Sequence, residues 1–156
     1  MEIGRYNDLR VVAKNSDGLS LSDGEREILL PYVDVPKNTE IGDNINVFVF
    51  VNKDGNKVAT TKEAYAEVED FAFLRVVDVT EDGAYLDLGI GKDVYVPSRE
   101  QKRLMEIGES YAVFLYLDES NGRMLASSRL DKFIEDVITA NQLTVSAVLS
   151  CHQEAK

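Results

Sequence analysis

Apolar and polar residues alternate with a period of two along most of the chain, as in Asp8-Leu9-Arg10-Val11 and Tyr85-Leu86-Asp87-Leu88. That period belongs to strands with one buried face. The alternating stretches are rich in Val, Ile, Phe and Tyr and are cut by Asp-Gly and Asn-Gly pairs, residues that accept the positive φ of tight hairpins. In the second half the pattern predicts strands at 71–79, 83–88, 93–96, 110–117 and 123–127, with a short helix or turn over 100–106. Only the end departs from this rhythm. Ile134, Val137 and Ile138 have helical spacing, and a β-like run follows from Leu143 to Leu149.

The same segments occur twice. Leu9-Arg10-Val11-Val12 returns as Leu74-Arg75-Val76-Val77 and Asp17-Gly18 as Asp82-Gly83. Further on, Ile41-Gly42-Asp43 returns as Ile107-Gly108-Glu109, and Val58-Ala59-Thr60-Thr61 as Leu125-Ala126-Ser127-Ser128. The matches keep their order while the spacing drifts slightly, so a duplicated unit organises the chain. Five short strands in so small a unit favour a closed barrel, because closure removes sheet edges. We therefore expect an all-β chain of two tandem five-stranded barrels, at 1–63 and 64–133, with a C-terminal segment at 134–156. The stretch 62–67 joins them and has no Pro/Gly/Ser tract, which predicts a short, stiff linker.

Charge complicates any nucleic-acid reading. Seventeen Lys and Arg oppose 28 Asp and Glu, a net charge of −11, which repels phosphate at long range. A nucleic-acid site must then be local. The best local cluster is Lys92, Arg99, Lys102 and Arg103, with Arg75, Arg123 and Arg129 on strands that pairing would bring near. No apolar run approaches the roughly 18 residues of a membrane span, so a cytoplasmic protein is expected. Lone Cys151 and His152 are too few for a zinc site, and 78–83 lacks a complete calcium-ligand pattern. Gly89-Ile90-Gly91-Lys92 lacks phosphate-loop spacing, and no nucleophile–base set can be assembled. Neither a cofactor nor an enzymatic activity is expected.

The second copy reads Gly83-Ala84-Tyr85-Leu86-Asp87-Leu88-Gly89, then Val96-Pro97-Ser98, Ile107-Gly108-Glu109 and Leu117-Asp118-Glu119-Ser120-Asn121-Gly122-Arg123. These stretches resemble the S1 RNA-binding domain, a barrel of the oligonucleotide/oligosaccharide-binding (OB) fold. More narrowly, Gly91-Lys92-Asp93-Val94-Tyr95-Val96-Pro97 and the run from Leu125 to Phe133 are similar to the tandem domains of the conserved virulence factor B family. The resemblance implies a non-catalytic protein that binds single-stranded RNA by aromatic stacking with basic support and regulates expression. Carried over by position, it implies contacts from Tyr85, Asp118 and Arg123, to which the local pattern adds Lys92, Tyr95, Arg99 and Arg103. Two positions depart from the family pattern: Asp82 stands at the first aromatic of the second strand and Pro97 at the histidine of the third. Affinity should accordingly be modest. The first copy departs further, with Asp17, Ser20, Pro31, Asn52 and Lys57 at the corresponding places, and its part in binding stays open.

The competing expectation is a protein-interaction adaptor that keeps the barrels without nucleic-acid affinity. Phe48 and Phe50 in one copy, and Phe114 and Tyr116 in the other, alternate with core aliphatics and should point away from the barrel axis. Outward aromatics need a cover. A neighbouring barrel, the C-terminal segment or a protein partner would supply it.

Overall fold

A computed structural model describes residues 1–133. The readings made above for Ile134, Val137, Ile138, Leu143 to Leu149, Cys151 and His152 lie outside the described residues. Ten strands form two closed barrels. The first contains β1 (Arg5–Lys14), β2 (Gly18–Ser22), β3 (Glu27–Pro31), β4 (Asn44–Val51) and β5 (Lys57–Thr60), in the order β1-β2-β3-β5-β4. The second contains β6 (Phe71–Val79), β7 (Gly83–Asp87), β8 (Asp93–Pro97), β9 (Ser110–Leu117) and β10 (Met124–Ser127), in the equivalent order β10-β8-β7-β6-β9. The all-β expectation and both five-stranded barrels are present.

The duplication reaches the level of individual residue pairs. Val11 pairs with Leu21 and Ala13 with Ser20 across an irregularity at Val12; Val76 pairs with Leu86 and Asp78 with Tyr85 across the same irregularity at Val77. A bulge of this kind sharpens strand twist where a small barrel must curl. Each bulge is followed by the same cross-barrel bonds: Gly42 N–H donates to the Val11 carbonyl, and Gly108 N–H to that of Val76. The core repeats too. Leu9, Val11, Leu21, Leu30, Val47 and Val49 fill the first barrel, and Leu74, Val76, Leu86, Val96, Val113 and Leu115 are buried in the second.

The chain divides into two compact units, Met1–Glu67 with Leu117–Met124, and Val68–Tyr116 with the described residues from Leu125 onward. The hairpin between β9 and β10 thus groups with the first unit.

The structure resolves the helix-or-turn alternative over 100–106 in favour of turns. A short 3-10 helix spans Ser98–Glu100, and no α-helix follows it before the next strand. Side chains replace helical backbone bonds there. Buried Gln101 donates through Nε2 to the Val96 carbonyl (3.2 Å) and accepts the Met105 N–H at Oε1 (2.9 Å), while the Tyr111 hydroxyl accepts the Glu106 N–H. Removing a partner that satisfies two buried backbone groups costs about 1–3 kcal/mol. Gln101→Leu should therefore lower the stability of the second barrel by that amount in chemical denaturation. An unchanged midpoint would mean the segment finds equivalent bonds without Gln101.

Candidate nucleic-acid interface

The outer face of β6, β7 and β8 carries the candidate site. Alternation in β7 buries Ala84 and Leu86 and turns Tyr85 and Asp87 outward, each half-buried. In β8 the same parity buries Val94 and Val96 and turns out Asp93 and Tyr95. The antiparallel register sets Tyr85 directly opposite Tyr95 and Asp87 opposite Asp93. The two tyrosine rings lie 5.1 Å apart at 43°, within the range of favourable tilted aromatic pairs.

Gly83 seats this pair. A Cβ added there would meet the Val96 carbonyl oxygen at 2.3 Å and the Tyr95 ring at 2.8–2.9 Å. The Tyr95 ring therefore covers a glycine on the adjacent strand, a cross-strand packing that shields exposed backbone.

The surroundings are mixed in charge. Asp78 pairs with Tyr85 from the β6 side, so the tyrosine row begins at a carboxylate. Partial burial and the carboxylates of Asp87 and Asp78 push the Asp93 carboxyl above its ordinary range, against the pull of Lys92. Burial, with the Asp82 charge and Tyr85 adding to it, likewise raises the Tyr95 hydroxyl, and Arg99 opposes. Lys92 and Arg99 are thus the cations felt at this face. Exposed Arg103 lies on the turn after the 3-10 helix, and Arg129 Nε donates to the Arg99 carbonyl (2.7 Å), holding two cationic segments together. The carboxylate fringe is what sequence reading passed over. Composition alone does not show it, because only the strand register brings Asp87 opposite Asp93.

Asp118 and Arg123 are placed differently. Both belong to the hairpin that groups with the first unit. Hydrogen bonds from the Ser120 hydroxyl and N–H hold the Asp118 carboxyl below its ordinary value, so its oxygens shape their own turn. The Arg123 guanidinium donates to the Lys53 carbonyl (2.8 Å) within that unit. The tyrosine pair and its cations belong to the second unit, and Asp118 and Arg123 to the hairpin grouped with the first.

The expectation that Phe48 and Phe114 serve as an interface to a partner is corrected. Phe48 is fully buried, with the Tyr6 ring edge-on against it at 5.4 Å, and Phe50 is half-buried. Phe114 is 7% exposed and packs against Phe71 at 4.8 Å and Phe133 at 4.3 Å. Tyr116 also stacks on Phe133, which is held near the barrel by buried Leu130 and by the Lys132–Glu100 ion pair at 2.7 Å. Phe48 has Tyr6 against it and Phe114 has Phe71 and Phe133, each within its own unit, and neither presents an open face to a partner.

Known proteins carry the same architecture. A family model described as S1 domain matches residues 3–62 and again 71–128. The chain is 28% identical over 143 residues to the uncharacterized protein YitL of Bacillus subtilis, covering 89% of this chain and 48% of that protein. It is 27% identical over 104 residues to conserved virulence factor B of Staphylococcus epidermidis, covering 64% of this chain and 35% of that one. The chain thus spans about half, or less, of the curated relatives it matches. Among solved structures, a multidomain protein with nucleic acid binding domains from Streptococcus pneumoniae superposes with a TM-score of 0.68 at 17% identity, over 86% of this chain and 48% of that one. At that identity the likeness carries the fold. Among the described residues no helix is long and apolar enough to cross a membrane.

Gly83→Ala tests the seat of the tyrosine pair. The added methyl meets backbone it cannot displace, so a stability loss of about 1–3 kcal/mol or more is expected, with a changed near-ultraviolet tyrosine signal. Wild-type stability together with an unchanged tyrosine spectrum would remove the close approach as a constraint.

Proposed function

Because the chain belongs to the S1 domain family, in two tandem copies, we propose that it binds single-stranded RNA without catalysis, on the outer face of β7 and β8. The observation that carries this reading is the cross-strand Tyr85–Tyr95 pair on the strands that OB-type barrels use for oligonucleotides. Stacking accepts any base, since every base has a π-face, and contributes about 1–3 kcal/mol per base. Lys92, Arg99 and Arg103 meet the backbone phosphates. Asp118 and Arg123, the contacts that the S1 resemblance implies on the last hairpin, belong to the same reading. A cytoplasmic role in post-transcriptional regulation fits such a sequence-tolerant contact.

The carboxylates Asp78, Asp82, Asp87 and Asp93 favour a second reading, an adaptor that takes up protein and not RNA. Magnitude decides between them. A surface carboxylate about 8 Å from a phosphate costs only a few tenths of a kcal/mol in water once salt screens it. Four of them cost about 1 kcal/mol, which one stacked base offsets.

Fluorescence anisotropy of a labelled unstructured oligoribonucleotide tests the proposal. Tyr85→Ala should weaken binding about 5- to 150-fold, the stacking range converted to affinity. With three phosphate contacts the logarithm of affinity should fall with the logarithm of salt at a slope near about −2. Absence of binding at low salt would favour the adaptor.

The fringe gives a separate expectation. Asp87→Asn with Asp93→Asn should strengthen RNA binding several-fold and bring the low-salt and high-salt affinities further apart. Weaker binding in that double variant would mean the carboxylates contact the bases directly.

A further inference from the structure

The first barrel has no aromatic pair at the positions of Tyr85 and Tyr95, for there the register sets Ser20 opposite Leu29. An exposed tyrosine stands three residues further along. β3 runs out into a 3-10 helix at Tyr32–Asp34, where Tyr32 is 49% and its neighbour Val33 84% exposed. Both side chains are thus open to a ligand at this strand end.

Tyr32 is exposed but not loose. Its hydroxyl donates to the Asn15 carbonyl at 2.5 Å, so the ring lies toward the β1–β2 turn and is fixed at both ends. In the second barrel the residue at the same place is Ser98, whose hydroxyl donates to the Glu81 carbonyl, one position further along the equivalent turn. A tyrosine ring therefore spans a gap that a serine closes in the other copy. A ring ordered before binding loses little freedom when a base settles on it.

Charge favours the same place. Where the second barrel has Asp78, Glu81 and Asp87, the first has Ala13, Ser16 and Ser22, and where the second has Val79 the first has exposed Lys14. Asp82 and Asp93 keep acidic counterparts in Asp17 and Glu27. The copy further from the family pattern thus has fewer carboxylates on this face, while Val33 stands where the second copy has Arg99. Lys14 immediately precedes Asn15, whose carbonyl holds the tyrosine hydroxyl.

We propose that Tyr32 and Lys14 form a second single-stranded nucleic-acid site, in which the Tyr32 ring stacks on an unpaired base and Lys14 meets an adjoining phosphate. This inference rests on the RNA-binding reading above and adds the first barrel to it. The two sites differ in kind: the second barrel holds bases with a tyrosine pair amid carboxylates, and the first with one ring and a lysine.

The test uses the full chain and a labelled oligouridylate, with amide signals of the protein followed by nuclear magnetic resonance during the titration. Tyr32→Ala should weaken binding at least 5-fold at an unchanged melting temperature, and Tyr32→Phe, which keeps the ring, should weaken it less. In the Tyr85→Ala variant the amides of Asn15 and Val33 should still shift on adding RNA. Wild-type affinity in Tyr32→Ala, with those amides unmoved while Tyr85→Ala weakens binding, would overturn this site and leave the second-barrel reading standing. No binding by the wild-type chain at low salt would overturn both. If Tyr32→Ala unfolds, the wild-type and Tyr85→Ala amide shifts decide alone: movement of Asn15 and Val33 supports the site, and stillness overturns it.

Discussion

One backbone approach, too close for any side chain, governs the second barrel. At Gly83 the Val96 carbonyl stands where a Cβ would be, and the strands β7 and β8 meet with Gly83 opposite Pro97. That contact fixes register, and because side chains alternate strictly, register fixes every outward neighbour. Tyr85 must face Tyr95, and Asp87 must face Asp93. The first barrel obeys the same constraint at Gly18, opposite Pro31 and with the Leu30 carbonyl at 2.1 Å from an ideal Cβ. The two faces therefore share a backbone geometry and differ only in the residues it displays.

Much of this frame was legible in the sequence because barrels are read by period and repeat. The drift in the repeat spacing has a plain structural origin. The β7–β8 connection runs 88–92 where β2–β3 runs 23–26, one residue longer, and the β9–β10 connection runs 118–123 where β4–β5 runs 52–56, again one longer. Both changes fall in turns, where an extra residue disturbs no core position. Tyr85 could be placed outward from parity alone. Three things could not be read. The segment after Glu100 has helix-compatible residues, yet Gln101 bonds the backbone into a turn, a tertiary choice invisible to local propensity. The partners of Arg123 and the cover of Phe48 depend on which segments meet in space. The fourfold carboxylate fringe needed register as well as composition.

The two copies have diverged along complementary lines. The second has Tyr85 on its second strand with Tyr95 opposite it, amid carboxylates. The first has Ser20 and Leu29 at those places and carries Tyr32 at the strand end among fewer carboxylates. A duplicated fold tolerates this because the inward set, Leu9 to Ala59 in one barrel and Leu74 to Ala126 in the other, carries the stability. Outward residues on a closed barrel can change with little cost to folding.

The net charge of −11 is then less of an obstacle than it first looks. Long-range repulsion slows encounter and is screened within about 8–10 Å at ordinary salt, whereas stacking acts at contact and is indifferent to salt. A chain that relies on rings more than on cations should bind weakly and lose with rising salt only the share of affinity its few phosphate contacts supply, and its charge should reject extended duplex, whose phosphates are dense and whose bases are covered. Under the proposed reading, acidity becomes a filter: it disfavours any polyanion that cannot offer an unpaired base to Tyr85 and Tyr95. The same rings amid the same carboxylates would welcome a cationic side chain through its attraction to an aromatic face, so the sign of the ligand's charge separates the two readings of this face.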